Sequence, residues 1–206
     1  LSYLEGQTPL DADESEGLLV QSISTRQELD EWEQRNIEEA IRWTLERRRR
    51  FTTGEILSEL FIKELHKKMF GEVWEWAGSF RNTNKNIGVD KYQIGSEVRA
   101  LLDDCRYWIA HQTFPGDEIA IRFKHRIVSI HCFANGNGRH SRLLADVIAE
   151  KIFHLPVFTW GSQCLIDSSH FRSSYLSALR EADKGLITPL LQFARSRSDG
   201  FAASNI

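Results

Sequence analysis

Apolar residues recur every three to four positions over most of the chain, which is the spacing of one face of an α-helix. The first such segment follows Ser24–Glu28, where two overlapping capping-box patterns mark a helix start. It predicts one long helix that ends near Arg47–Arg50. The next segment predicts a single helix that begins after Thr52 and ends at Gly71.

Later segments with the same spacing predict the remaining helices. They begin at Ser96, at Asp117, after Gly138, at Ser168 and at Thr188-Pro189, where proline takes the favoured first helical position. Between residues 82 and 95, polar residues and glycines alternate with short apolar positions, which predicts a β-hairpin. The predicted fold class is therefore all-α: a compact helical bundle with one β-hairpin.

Two features permit both a structural and a nucleic-acid interpretation. The run Arg47–Arg50 suits a solvated helix C-terminus, whose dipole favours cations, but also a nucleic-acid patch. Trp74, Trp76 and Phe80 suit core packing better than a platform for stacked bases, because no basic residues alternate with them. The structural interpretation is favoured for both features.

The composition is that of a globular chain with a small appendage. Of the 206 residues, 41% are hydrophobic and 27% are charged. Residues 1–23 carry an acidic stretch and predict an extended arm, residues 24–198 one domain, and residues 199–206 a C-terminal tail. Lys and Arg number 26 against 29 Asp and Glu, so the formal charge of −3 argues against a protein that coats DNA.

Cysteine usage and hydropathy bear on location. Cys105, Cys132 and Cys164 are odd in number, lie far apart and form no Cys-x-x-Cys pair, which favours reduced thiols over disulfides or a zinc site. No apolar run approaches the roughly 18 residues of a membrane span, and the acidic N-terminus is unlike a signal peptide. We therefore expect a cytoplasmic protein that contacts neither membrane nor nucleic acid directly.

The chemically unusual residues lie between His131 and Arg142, where one predicted helix ends and the next begins. Gly136 and Gly138 allow a ligand to approach the backbone closely, and the unpaired first-turn N–H groups of the next helix attract anions. Arg139 and Arg142 are three residues apart and share one helix face, so both can reach a polyphosphate. His131 would lie beside this anion cradle with a tunable proton.

Each of these residues also has a structural interpretation. Gly136-Asn137-Gly138 is by itself a common turn, Arg142 could pair with Asp146, and a histidine at a helix end is commonly structural. The combination of seven specified residues within twelve positions favours a functional site, because chance produces it well below about one time in a million. Phe133 is then expected to anchor the loop in the core.

The pattern His-x-Phe-x-x-Gly-Asn-Gly-Arg-x-x-Arg, at His131–Arg142, resembles the signature of the Fic (filamentation induced by cAMP) family. The predicted hairpin before it and the Tyr175–Leu179 helix after it fit the family's order, so the resemblance covers about Thr25 to Arg195. The regions Gly6–Leu10 and Asn36-Ile37 further resemble the branch called mobile mystery protein B, which is found paired with a small helix-turn-helix protein.

The resemblance implies nucleotidyl transfer, in most members the transfer of AMP from Mg-ATP to a Ser, Thr or Tyr hydroxyl of a target protein. Matched residue by residue, His131 is the general base that deprotonates the hydroxyl. Asn135 and the turn Gly136-Asn137-Gly138 bind the nucleotide, the turn holding its α- and β-phosphates. Arg139 and Arg142 stabilise charge on the leaving pyrophosphate.

The sequence departs from the family pattern at two positions. Cys132 stands where proline is usual, a change expected to affect only loop stiffness, with the thiol buried rather than reactive. Asn135 occupies the position of an Asp or Glu that ligates Mg²⁺ in many members. Its amide oxygen can still coordinate but brings no charge, so we expect weaker dependence on Mg²⁺ or Mn²⁺.

Two further family features concern target binding and control. The predicted hairpin around 84–95 resembles the flap that aligns the target, by adding a strand to it. Many members carry an inhibitory helix with Ser or Thr, three residues and then Glu, whose carboxylate pairs with the second motif arginine. Ser24 to Glu28 and Ser177 to Glu181 have that spacing, and the first is the more credible. Otherwise a separate antitoxin-like protein would supply the glutamate, as in a toxin–antitoxin pair.

Three functions remain open at this stage. The first is an active adenylyltransferase, which Gly138 favours over the related phosphorylating branch with Lys at that position. The second is a nucleotide-binding module that Asn135 leaves weakly active or inactive. The third is a regulatory protein that acts through its acidic arm and flap. No motif identifies the target protein or the nucleotide base.

Overall fold

The computed structural model describes residues 15–46, 48–161 and 168–196. The predicted arm up to position 14 and the predicted tail at 199–206 lie outside the described residues, as do Arg47 and Cys164. The helices are α1 (Arg26–Leu45), α2 (Thr53–Ile56), α3 (Glu59–Phe70), α4 (Ile94–Ala110), α5 (Gly116–Ile130), α6 (Asn137–Val147), α7 (Ser168–Asp183) and α8 (Thr188–Arg195), with a π-helical turn at Ile148–Ile152 that continues α6. The predicted helical class is confirmed.

The first predicted helix is α1, and its start follows from Thr25. The Thr25 hydroxyl accepts the Glu28 N–H while the Glu28 carboxylate accepts the Thr25 N–H, so the capping box is complete. α1 ends at Leu45, before the predicted Arg47–Arg50. Arg49 lies 4.8 Å from the ring centroid of Trp43, so this cation packs on an aromatic face.

The prediction of one continuous helix between Thr52 and Gly71 is wrong. The segment forms two helices, α2 and α3, because Ser58 starts a new helix: its hydroxyl accepts the Phe61 N–H at 3.1 Å. The same hydroxyl donates to the Glu55 carbonyl at 2.7 Å. A serine within an apolar pattern thus competes for backbone groups and interrupts the helix.

The predicted β-hairpin at 82–95 is also wrong, because the residues before α4 form an irregular loop. We call residues 82–93 the flap segment. The Asn84 side-chain oxygen accepts the Lys91 N–H at 2.8 Å, so a side chain takes a backbone group that a strand would pair with its neighbour. The polar and apolar alternation of this segment therefore reflects caps within a loop.

The described part of the N-terminal arm lies against the segment that follows α3. Leu18 forms an antiparallel bridge with Trp74, and the Leu19 N–H donates to the Val73 carbonyl at 2.9 Å. Trp74 is 4% exposed, and Trp76 and Phe80 pack against the same core. The prediction that these aromatic residues belong to the core is confirmed.

The helices surround the turn between α5 and α6. α6 packs against α5, α5 packs against α4, and α1 packs against α3. Residues on the inner faces of α5 and α6 are buried, so the turn that joins them is fixed at both ends. Among the described residues, every helix is too short or too polar to span a bilayer.

Candidate active site

The predicted motif residues form the turn from α5 into α6, which we call the motif loop (residues 131–139). His131 follows the last residue of α5 in the left-handed conformation, with φ +58° and ψ 63°. Its side chain is buried, with 5% exposure. Left-handed backbone is uncommon for a residue other than glycine and concentrates at functional sites. The left-handed conformation of His131 ends α5 abruptly and leaves the imidazole where α5 meets the motif loop.

The environment of His131 keeps its imidazole neutral. Burial, followed by the positive charge of Arg81, lowers its pKa to about 4. A hydrogen bond with the Val128 backbone raises the pKa, and Lys85 lowers it. A neutral imidazole at pH 7 can accept a proton, which is the state that a general base requires.

The loop is braced from within by Asn137. Its side-chain oxygen accepts the Phe133 N–H at 3.0 Å, and its side-chain nitrogen donates to the Phe133 carbonyl at 2.8 Å. Phe133 is fully buried, which confirms that it anchors the loop in the core. The Asn137 side chain therefore faces the loop interior.

His66 of α3 braces the loop from outside. Its Nδ1 accepts the Gly78 N–H at 3.1 Å, which places the proton on Nε2, and Nε2 donates to the Asn135 carbonyl at 3.0 Å. The ring stacks on Phe133 with a centroid distance of 3.7 Å. Sequence reasoning missed this contact, because His66 lies 69 residues before Asn135.

Gly136 starts α6 in a conformation that glycine favours. Its φ is +77°, and a Cβ there would lie 2.5 Å from Phe70 Cε2. The first N–H groups of a helix have no acceptor within the helix, so α6 presents donors at this end. A helix N-terminus with free N–H groups attracts anions such as phosphate.

Gly138 has no such structural reason to be glycine. A Cβ at this position would meet nothing within 4 Å, and the residue is helical. The missing side chain leaves the approach to the first turn of α6 open. Gly138 is therefore better explained by a ligand that approaches the backbone than by folding.

Asn135 was the candidate metal ligand. Its side-chain oxygen accepts the Gly136 N–H at 2.6 Å and is turned toward its own loop. The described residues contain no cluster of three or more His, Cys, Asp or Glu that could hold a metal ion. One neutral oxygen so engaged does not fit a magnesium site built by the protein.

Arg139 is held by a glutamate that sequence reasoning missed. Arg139 Nη1 lies 2.6 Å from Glu33 Oε2, and Trp74 Nε1 donates to Glu33 Oε1 at 2.7 Å. Glu33 is 4% exposed, although it is charged. Its signal in the sequence is its position: it lies four residues after Leu29 and four before Ile37, on the buried face of α1.

The predicted inhibitory glutamate is not the one that reaches the motif. Glu28 serves the start of α1, where hydrogen bonds from Ser24 and Thr25 lower its pKa to about 2. Glu181 pairs with Lys184 at 2.7 Å. The carboxylate at the motif is that of Glu33, and it pairs with the first motif arginine rather than the second.

Arg142 packs against an aromatic ring. Its guanidinium carbon is 5.6 Å from the Tyr175 ring centroid. The alternative pairing with Asp146 is wrong: no salt bridge joins them in the described ranges, and the Asp146 carboxylate accepts the Phe158 N–H and the Trp160 indole N–H. Arg142 thus keeps its donors for a ligand, as far as the described residues show.

Residues 56–149 match the model of the Fic/DOC family. The chain is 28% identical over 137 residues to the protein adenylyltransferase Fic of Drosophila grimshawi and 29% identical over 136 residues to that of Culex quinquefasciatus. Each match covers 64% of this chain and 26% of the relative. The chain thus spans about a quarter of the length of these curated relatives.

Solved structures share the fold. The BepC protein of Bartonella tribocorum, with bound AMPPNP, has a TM-score of 0.64 at 16% identity, over 90% of this chain and 97% of that chain. Fic-1 of C. elegans has a TM-score of 0.63 at 21% identity, over 87% of this chain and 51% of that chain. The N-terminal Fic domain of a Bartonella quintana protein, with bound ADP, has a TM-score of 0.61 at 17% identity, over 85% and 86%. The matched residues 56–149, which are less than half of the chain, contain the whole motif loop, and the bundle around this loop has the fold of the solved Fic structures.

Proposed function

We propose that the protein is an adenylyltransferase, which transfers AMP from ATP to a hydroxyl side chain of a target protein. The observation that carries this proposal is the motif loop itself. It joins a buried, neutral imidazole to the start of a helix that presents N–H groups and two arginines. The names of the curated relatives support the same activity.

In this proposal His131 acts as the general base. The hydroxyl oxygen of the target attacks the α-phosphorus of ATP while its proton passes to the neutral imidazole of His131. The bond between the α-phosphorus and the oxygen that bridges to the β-phosphate breaks, and pyrophosphate leaves with that electron pair. AMP remains attached to the target through a new phosphorus–oxygen bond.

The start of α6 holds the phosphates. The N–H groups of Asn137 and Gly138 would bind phosphate oxygens, with Asn135 and Gly136 shaping the turn before them. Arg142, and Arg139 once it leaves Glu33, would stabilise the charge on the leaving pyrophosphate. Magnesium would arrive as part of Mg-ATP, because the protein offers no metal site of its own among the described residues.

We further propose that Glu33 restrains the enzyme. Its carboxylate occupies the Arg139 guanidinium that a triphosphate would need, and Trp74 holds the carboxylate in place. This internal glutamate favours control within the chain over a separate antitoxin-like protein. A helix-turn-helix partner, a toxin–antitoxin role and membership of the mobile mystery protein B branch stay predictions, to be tested by co-purification with a co-expressed partner.

The cytoplasmic location and the mode of target binding also remain predictions. Buried free thiols at Cys105 and Cys132, whose pKa values burial raises to about 12, suit a cytoplasmic protein. Residues 24–198 would form the Fic domain. The flap segment would align the target chain by backbone pairing, although it contains no strand before the target binds.

Labelled ATP tests the activity. We expect the added protein to increase the protein label from α-labelled ATP, but not from γ-labelled ATP, above the level in the same cell extract without it. His131→Ala should lower this increase by about 10²- to 10⁴-fold, the usual effect of removing a general base. An equal increase with the His131→Ala variant, or an increase in γ-label, contradicts the proposal.

A second function, nucleotide binding with little or no transfer, is favoured by Asn135, whose oxygen is turned into the loop. Comparing the single variant Glu33→Gln with the double variant Glu33→Gln plus Asn135→Asp separates the two functions. Transfer that appears only in the double variant identifies a metal defect in an enzyme. Tight binding of ATP without transfer in both variants identifies a binding module that acts by regulating a partner.

A further inference from the structure

Arg81 is a buried arginine between the motif loop and the flap segment. Its exposure is 5%. Its Nε donates to the His131 carbonyl at 2.6 Å and its Nη1 to the Thr83 carbonyl at 2.7 Å. Its Nη2 donates to the Val89 carbonyl. One guanidinium thus connects the backbone of His131 with two points of the flap segment, Thr83 and Val89.

Two backbone hydrogen bonds join the same two parts of the chain. The Arg81 N–H donates to the Cys132 carbonyl at 2.9 Å, and the Val89 N–H donates to the Ile130 carbonyl at 3.3 Å. Arg81 and the flap segment are therefore tied to three consecutive carbonyls, those of Ile130, His131 and Cys132. A shift of the segment would pull on the residue that holds the imidazole.

The two segments approach each other closely at Gly88. Gly88 has φ +95°, and a Cβ there would lie 2.6 Å from the Cβ of His131 and 3.0 Å from Arg81 Nη2. The flap segment therefore rests directly against the His131 side chain. Because glycine has no side chain, the backbone of the flap segment itself contacts His131 at this position.

We infer that Arg81 is a positioning residue, which fixes the flap segment against His131 so that target and imidazole meet in register. This inference rests on the proposed role of His131 as the base. Arg81 would affect where the acceptor hydroxyl of the target is placed, whereas the start of α6 would bind the nucleotide. The charge of Arg81 also acts on the imidazole: the charged groups that lower the pKa of His131 are Arg81 and Lys85.

The first test uses Arg81→Met without nucleotide. We expect hydrogen exchange of the Val89 and His131 amides to rise about tenfold or more, while amides in α4 and α8 keep their protection. The NMR titration of His131 should move its pKa up by about one unit, since a nearby like charge has been removed. Arg106→Met is the matched control, because Arg106 also donates to a carbonyl, that of Leu57, away from the motif loop.

Arg81→Lys separates charge from geometry. A lysine keeps the positive charge but cannot donate to three carbonyls in a fixed fork. We expect the pKa of His131 to stay near the wild-type value while exchange of the Val89 amide still rises. Unchanged exchange in both Arg81 variants overturns the inference.

Gly88→Ala gives a second route if Arg81→Met does not fold. Gly185→Ala is its matched control, because Gly185 has a similar φ of +90° but a Cβ there meets nothing within 4 Å. Both changes strain the backbone alike, and only the first presses on His131. We expect exchange at the flap segment to rise in Gly88→Ala alone, and equal behaviour of the two variants overturns the inference.

Label transfer completes the test. In the Arg81→Met variant we expect transfer from α-labelled ATP to fall at least about tenfold while affinity for AMPPNP stays within about twofold. A loss of AMPPNP affinity equal to the loss of transfer overturns a positioning role. If the wild-type chain, its Glu33→Gln variant and the double variant Glu33→Gln plus Asn135→Asp all transfer no label, the proposed function fails, while the exchange and titration results still decide the role of Arg81.

Discussion

At the scale of single residues, the proposed restraint of the enzyme depends on Glu33, a buried glutamate that no sequence motif marks. Glu33 is one of few charged residues on the buried face of α1, and it holds both Arg139 and the Trp74 indole. A buried carboxylate persists only where partners compensate its lost hydration. Its partners here include a residue of the motif, so its presence has a functional explanation.

The Glu33→Gln variant tests this restraint. A glutamine can still accept the Trp74 N–H but cannot form the ion pair with Arg139, so the arginine becomes available to a triphosphate. We expect affinity for ATP, measured by calorimetry, to rise at least about tenfold, which corresponds to about 1.4 kcal/mol. Glu38→Gln, on the exposed face of α1, should leave the affinity unchanged. Unchanged affinity in Glu33→Gln contradicts the restraint.

At the scale of elements, the proposed binding of phosphate depends on the start of α6. Gly136 is required by the fold, because its φ is +77° and Phe70 leaves no room for a Cβ. Gly138 is helical and has open space beside it. Gly136 is therefore explained by folding and Gly138 by ligand binding, and substitutions can distinguish the two explanations.

Gly138→Ala should fold at least as well as the wild type, since alanine in a helix is favoured over glycine by about 0.5–1 kcal/mol. Its methyl group would stand where a phosphate approaches, so we expect ATP affinity to fall. Gly136→Ala should instead lower the melting temperature sharply, through strain and the clash with Phe70. Full ATP affinity in Gly138→Ala, measured by calorimetry, would rule out phosphate binding at this turn.

The sequence predicted the helix starts at Thr25 and Thr52, whose caps are local, but missed the equally local cap at Ser58. Thr25 and Thr52 start helices by contacts within four residues, and the motif loop follows from consecutive residues. The flap segment was predicted as a hairpin because its alternation resembles a strand, although side chains such as Asn84 take its backbone groups. Contacts distant in sequence, such as Arg139 with Glu33, 106 residues apart, leave no local pattern.

At the scale of the whole molecule, three buried histidines meet around the motif loop. Burial lowers the pKa of His131 and of His140 to about 4 each, and lowers that of His66 well below its usual range. In the unfolded chain the pKa of each histidine returns to about 6.5, so each takes up a proton below that pH. Their stabilising effect is therefore complete above about pH 6.5 and is lost as the pH falls toward 4.

Chemical denaturation between pH 7 and pH 5 measures this effect. The free energy of unfolding should fall by up to about 1.4 kcal/mol per pH unit for each such histidine. Asp146 opposes the trend, because burial raises its pKa to about 7 and its stabilising effect is regained as the pH falls. We expect a steeper fall in Asp146→Asn and a shallower one in His140→Gln. A free energy of unfolding that stays constant between pH 7 and pH 5 would contradict the claim that the three histidines are neutral in the folded protein.

We propose that the protein transfers AMP, with His131 as the general base, once Arg139 is released from Glu33. The most direct measurement compares protein labelling from α-labelled ATP by Glu33→Gln and by the double variant Glu33→Gln with His131→Ala. The account predicts labelling above wild type in the single variant and its loss, by about 10²-fold or more, in the double variant. Equal labelling by the two variants would contradict the account.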